Sequence, residues 1–144
     1  MVTDIHALAH RYFEEGWNQI DMTVIDELFA PDCVYYLNSD VVLQGTERMK
    51  EAILGTRSMF SELWFNVEEQ LVDGDRIAAR LAYGGAYQGG SDTFPASALG
   101  KSFSARGLFV AHLADGKIVA AWHSTDRLTQ FRQLDLTMVP VSAS

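Results

Sequence analysis

Apolar positions near the N-terminus recur at helical spacing. Ile5, Leu8, Ala9, Tyr12, Phe13 and Gly16 form one stripe that Trp17 closes, which predicts an amphipathic helix of about four turns with Thr3 as its cap. Asn18-Gln19-Ile20-Asp21 interrupts the stripe. Asp21 is placed to cap a short second helix, Met22 to Phe29, which Ala30-Pro31-Asp32 ends. The period then becomes two. In a strand from Cys33 to Leu37, Cys33, Tyr35 and Leu37 share one face, and Asn38-Ser39-Asp40 turns the chain. Thr46 is the expected cap of a third helix, Glu47 to about Ser58, with Met49, Ala52 and Ile53 inward.

Long strands follow. Leu63, Phe65, Val67, Glu69 and Leu71 alternate with polar or outward residues up to Asp73-Gly74-Asp75, a hairpin turn. From Arg76 to about Tyr87 the inward set is Ile77, Ala79, Leu81 and Tyr83, and glycines then cluster at 84, 85, 89 and 90. Ser91 to Gly100, with Pro95, is a loop of the kind that often covers a binding site. Ser102 to Leu113 places Ala105, Gly107, Phe109 and Ala111 inward, and Asp115-Gly116 turns into a last strand whose inward face carries Val119, Ala121, His123 and Thr125. Asp126 opens a short helix through Leu134. One domain over residues 1–135 and a weakly ordered tail over 136–144 are expected.

Helices followed by hairpin-connected strands predict an α+β fold, with three N-terminal helices packed on one face of a curved antiparallel sheet. The small inward residues Ala79, Ala105, Gly107, Ala111, Val119 and Ala121 cannot reach the covering helices, so a cavity is expected. Its walls are predicted to be Leu81, Phe109, Tyr35, Tyr83 and the aromatic end of the first helix.

Composition narrows the partners. A formal net charge of −8 without a Lys or Arg cluster argues against a nucleic-acid or anionic-membrane surface. No apolar run approaches the ~18 residues of a membrane span, and the N-terminus lacks a signal-peptide layout, so a cytoplasmic protein is expected. The single cysteine, Cys33, reads as a small buried residue. Neither a metal nor a cofactor is expected, and a small apolar or aromatic molecule is left as the partner. His6 and His10, at the margin of the first helix, read as solvated or structural.

His123 is the leading chemical group. An imidazole near its unperturbed pKa of about 6.5 can exchange a proton with a carbon acid, and burial would hold it neutral. Two other readings stay open: it only hydrogen-bonds a ligand, or it is a satisfied core residue. Asp126 either caps the last helix or orients His123. Tyr35 and Tyr83 come out inward and could donate to a carbonyl or enolate oxygen, with Trp17 walling the pocket. Leu81, Phe109 and Gly107 complete the expected substrate-binding set. Arg80, Arg106, His112 and Trp122 fall on the opposite face of the sheet, the composition of a protein contact.

Several stretches together resemble the SnoaL-like polyketide cyclases of the nuclear transport factor two-like superfamily. They are Phe13-Glu14-Glu15-Gly16-Trp17-Asn18 with Asp21, Leu28-Phe29-Ala30-Pro31-Asp32, Gly45-Thr46-Glu47, Asp73 to Arg80, Phe94-Pro95-Ala96, Asp115-Gly116-Lys117-Ile118, Trp122 to Asp126, and Gln133-Leu134. The resemblance implies a cone-shaped fold and a homodimer formed through the outer sheet face. It also implies cofactor-independent, aldol-type ring closure on a polycyclic aromatic or polyketide intermediate of secondary metabolism, as in antibiotic biosynthesis. Relatives of this kind place an acid/base aspartate five positions after the isoleucine of the Asp-Gly-Lys-Ile turn, which here is His123, and a second family histidine falls on Phe109. A non-catalytic binding protein of the same fold, an epoxide hydrolase-like enzyme and a hydroxylating relative are the alternatives. The epoxide hydrolase would need an inward Arg and Asp pair on the Arg76 to Tyr83 strand, where Leu81 and Tyr83 stand instead.

Overall fold

The computed structural model describes residues 4–142. Thr3 lies outside them, and Asp4 caps the first helix instead, its carboxylate accepting the His6 N–H at 3.0 Å. Helix α1, Ile5–Arg11, does not continue as an α-helix: Tyr12–Asn18 is π-helical, with the Gln19 N–H reaching back to the Glu14 carbonyl. The predicted stripe is nevertheless buried, because the wider turns keep Tyr12, Phe13, Gly16 and Trp17 toward the sheet. Residues five apart stand about 140° apart on an α-helix, so the π turn is what brings Tyr12 and Trp17 to the same side.

Helix α2 is Thr23–Leu28. Met22 holds the cap position, and Asp21, the expected cap, serves the helix from one residue before it, accepting the Thr23 N–H at 3.1 Å. Helix α3 is Thr46–Met59, and here the expected cap is corrected: Gly45 (φ 86°) holds the cap position without a side-chain bond, and Thr46 is the first helical residue, buried. A Cβ at Gly45 would stand 3.1 Å from the Pro31 carbonyl, so the turn into α3 needs glycine for space as well as for φ.

Six strands form one curved sheet: β1 Phe29–Leu37, β2 Val41–Gln44, β3 Phe60–Asp73, β4 Arg76–Tyr87, β5 Ser102–Ala114 and β6 Lys117–Thr125, in the order β2-β1-β6-β5-β4-β3. The sheet is mixed rather than wholly antiparallel, because β1 runs parallel to β6. No hairpin joins these two strands, so turn geometry does not dictate their direction. The β5–β6 hairpin turns at Asp115 (φ 50°) and Gly116 (φ 78°), the left-handed pair that a two-residue turn requires.

Two bulges overturn the simple alternation. The β3–β4 register shifts between Val67 and Glu69, which turns Gln70 and Val72 inward and leaves Leu71 68% exposed. The β5–β6 register shifts at His112/Leu113, so Ile118 is buried and Val119, expected inward, is exposed. From Ala121 to His123 the predicted parity holds.

Candidate functional site

The space over the small sheet residues is not empty. Tyr12 and Phe13 descend onto Phe109, with ring centroids 5.7 and 5.2 Å away, and fill it. The cavity, about 270 Å³, lies instead between α3, the β1–β2 edge, the Ser91–Phe94 stretch and the C-terminal helix α4, Arg127–Gln133. Of the expected wall, Tyr35, Tyr83, Trp17 and His123 line it. Leu81, Phe109 and Gly107 do not: they belong to the packed layer behind, with Leu81 and Phe109 fully buried, and those expectations are corrected. Sequence reasoning missed Met49, Ile53, Phe60, Phe94 and Phe131, which reach the cavity from elements distant in the chain.

His123 is held from three sides. It pairs with Leu37 on β1 and Phe109 on β5, and its carbonyl accepts the Asn38 N–H at 2.8 Å. The Asn38 side chain then clasps Thr125, accepting the Thr125 N–H at 2.8 Å, which pins the end of β6 to β1. Within this frame Nδ1 of His123 lies 2.8 Å from the Tyr35 hydroxyl, and the Tyr12 hydroxyl donates to that of Tyr35 at 3.0 Å. Phe13, Phe65 and Phe109 surround the ring edge-on. Burial in this aromatic cage lowers the His123 pKa to about 4, so the imidazole is neutral near pH 7. The same burial raises Tyr12, Tyr35 and Tyr83, and all three stay protonated.

Three buried polar atoms of cavity-lining residues have no hydrogen-bond partner among the described residues: Trp17 Nε1, the Tyr83 hydroxyl and His123 Nε2. The Thr125 hydroxyl approaches Tyr83, and the Trp17 indole approaches Tyr12, without completing a bond. Leaving such atoms unmatched costs about 1–3 kcal/mol each, a cost that a bound molecule with matching groups removes. Among the described residues no Asp or Glu lines the cavity. Arg127 lines it with its guanidinium engaged by Asp40 at 3.1 Å, and Asn18, next to Trp17 in the chain, fastens the end of the π-helix to β3 by exchanging two 2.8 Å hydrogen bonds with the Phe65 backbone.

Asp126 does not reach His123. It caps α4, accepting the Thr129 N–H at 3.1 Å and the Thr129 hydroxyl at 2.7 Å, bonds that hold its carboxyl below the ordinary range. Of its two expected readings, these bonds are those of the helix cap, and among the described residues it makes no hydrogen bond to His123. Cys33 is buried against Met49, and burial raises its thiol to about 11, which leaves it unreactive. Among the described residues no three His, Cys, Asp or Glu side chains converge as metal ligands, and no helix is long and apolar enough to cross a membrane.

The chain is similar in structure to TsrD from Streptomyces laurentii, at 27% identity and a TM-score of 0.78 over 91% of this chain and 94% of that one. A candidate polyketide cyclase from Bacillus cereus ATCC 10987 is also 27% identical, with a TM-score of 0.72 over 88% of this chain and 77% of that one. A candidate SnoaL-like polyketide cyclase from Jannaschia sp. CCS1 shares the fold at 24% identity and a TM-score of 0.79, covering 91% of each chain. Among curated proteins, none matches the sequence. The model of the SnoaL-like polyketide cyclases matches residues 7–134, which spans every element from α1 to α4, and the chain belongs to that family.

Proposed function

We propose that the protein is a cofactor-independent enzyme that closes a ring on a polycyclic aromatic or polyketide intermediate by aldol-type chemistry, in the cytoplasm and in secondary metabolism. The observation that carries this reading is the set of three buried, unmatched polar groups on a mainly apolar cavity. An apolar wall takes fused rings, and the polar groups take the oxygens such rings carry. In the reaction a carbon–carbon bond forms between an enol carbon and a carbonyl carbon. The carbonyl oxygen gains a proton and the enol O–H loses one, so the product is an isomer of the substrate and no co-reactant is consumed. His123 gives its Nε2 proton to the carbonyl oxygen as the bond forms and takes the enol proton back at the same nitrogen, so the imidazole ends neutral, while the Tyr83 hydroxyl steadies the oxygen on which charge develops. Tyr35 acts through His123, because the imidazole already engages its hydroxyl.

The absence of a carboxylate from the cavity wall favours a second reading, a non-catalytic binder of the same ligands. Incubating polyketide-type aromatic ketones with wild type and His123→Ala, and following the change of chromophore, separates the two. An enzyme loses about 10²–10⁴-fold in rate. Equal rates would remove His123 from the chemistry, and no turnover by wild type, with binding weakened in the variant, would leave the binder.

We also infer a homodimer formed through the outer sheet face. Trp122 is 39% exposed there, stacked on Tyr36 and flanked by His112, while Arg80 and Arg106 both engage Glu68 at 3.0 Å. Aromatic residues beside paired arginines suit a protein contact better than open solvent.

A further inference from the structure

A tyrosine hydroxyl has one proton to give and can accept others, so a row of two tyrosines and a histidine has a direction. The Tyr12 hydroxyl meets the Tyr35 hydroxyl at 3.0 Å, and among the described residues it has no other hydrogen-bond partner. The other polar group near it, the Trp17 indole N–H, is itself a donor. Phe13, Phe29 and Phe109 pack around the ring, with centroids between 4.6 and 5.7 Å, and offer no acceptor, while the ring also borders the cavity. Among the described residues the only taker for the Tyr12 proton is thus the Tyr35 oxygen. Tyr35, having accepted, points its own proton at Nδ1 of His123, 2.8 Å away. Run the other way, from an Nδ1–H through Tyr35 to Tyr12, the row would end with the Tyr12 proton stranded among aromatic rings.

We propose that Tyr12 and Tyr35 form a one-way donor relay that fixes neutral His123 with its proton on Nε2, so that the imidazole meets a bound molecule as a hydrogen-bond donor. Tyr12, which the relay keeps from the ligand oxygen, is a positioning residue: it decides which histidine nitrogen carries the proton. The unmatched Nε2 then joins the Trp17 indole N–H and the Tyr83 hydroxyl, and all three are able to donate. Such a set selects an oxygen that bears or gains negative charge, an enolate, phenolate or alkoxide, and disfavours an ammonium group at the same place. What the relay means for catalysis rests on the ring-closing reading above. The tautomer itself does not.

The test is a long-range proton–nitrogen correlation spectrum of the full chain with 15N-labelled histidine, near neutral pH and without ligand. The expected wild-type pattern for His123 is a protonated Nε2 and an accepting Nδ1. In Tyr12→Phe the ring and its packing stay but Tyr35 is freed to accept, so Nδ1–H should appear and both nitrogen shifts should move toward each other. Nδ1–H in wild type, or a Tyr12→Phe spectrum unchanged from wild type, overturns the relay. If Tyr12→Phe fails to fold, the wild-type tautomer alone decides the question, because the opposite direction requires Nδ1–H. No turnover enters this measurement: an inactive protein with Nε2–H would end the enzyme reading and keep the relay, and an active one with Nδ1–H would do the reverse.

Discussion

The Tyr35 hydroxyl lies 2.8 Å from Nδ1 of His123, although the two residues stand on strands joined by no hairpin. Because β1 and β6 run parallel, Tyr35 pairs with Ala121 and Leu37 with His123, and the tyrosine comes beside the imidazole from one step below on the same inward face. That placement divides the work of the two tyrosines the sequence singled out. Tyr35 is committed to His123, whereas Tyr83 keeps a free hydroxyl for the contents of the cavity.

Acid should expose the cost of keeping His123 neutral. Its pKa is about 4 when folded and about 6.5 when unfolded, so on acidification the unfolded chain takes up the proton first. The stability the neutral ring contributes is complete above pH ~6.5 and is lost as pH falls toward about 4, by ~1.4 kcal/mol per pH unit and ~3 kcal/mol in all. His123→Asn keeps an acceptor for Tyr35 and does not titrate. Urea unfolding of both proteins across this window should show the wild type losing stability more steeply, and parallel curves would contradict the assignment.

The two tyrosine variants should separate stability from binding. Tyr35→Phe strands the Tyr12 donor and the Nδ1 acceptor together and should cost ~1–3 kcal/mol in a denaturant melt. Tyr83→Phe removes a hydroxyl with no protein partner, so stability should hold within ~0.5 kcal/mol while affinity for an oxygen-bearing aromatic ligand drops by about 10-fold. A Tyr83→Phe protein that binds as tightly as wild type would remove that hydroxyl from the site.

Glycine substitutions should behave oppositely at two places. A Cβ at Gly107 would sit 2.8 Å from the Ser124 carbonyl in the neighbouring strand, and backbone cannot yield cheaply there, so Gly107→Ala should lose ~2 kcal/mol or more. Gly55, inside α3, has open space around it, and Gly55→Ala should gain about 0.5–1 kcal/mol from helix propensity. Thermal melts of the pair would check both signs.

Charge placed on the outer face should separate the protomers. Trp122→Arg adds a cation beside His112 on the face that carries Arg80 and Arg106, without touching the cavity. Analytical ultracentrifugation should find wild type as a dimer and this variant as a monomer. A monomeric wild type would end the dimer proposal.

By itself the sequence determined the α+β order of elements and the inward or outward parity of most strand residues, because period two and period 3.6 are local properties that each strand and helix carries alone. It also put His123, Tyr35 and Tyr83 on the inner face. Only the tertiary structure decided what that face does. The bulges at Val67/Glu69 and His112/Leu113 reverse parity beyond themselves and depend on the partner strand, so Leu71 and Val119 could not be placed from spacing. The π turn lowers Tyr12 and Phe13 onto the small sheet residues, which fills the expected void and moves the cavity toward α3 and α4. Asp126 stands close to His123 in the chain, yet the strand's end turns its carboxylate to the α4 backbone, while Tyr12, more than a hundred positions away, reaches the imidazole through Tyr35. Sequence fixes the chemistry that is available; distance between side chains, which decides the chemistry that can occur, is set by packing.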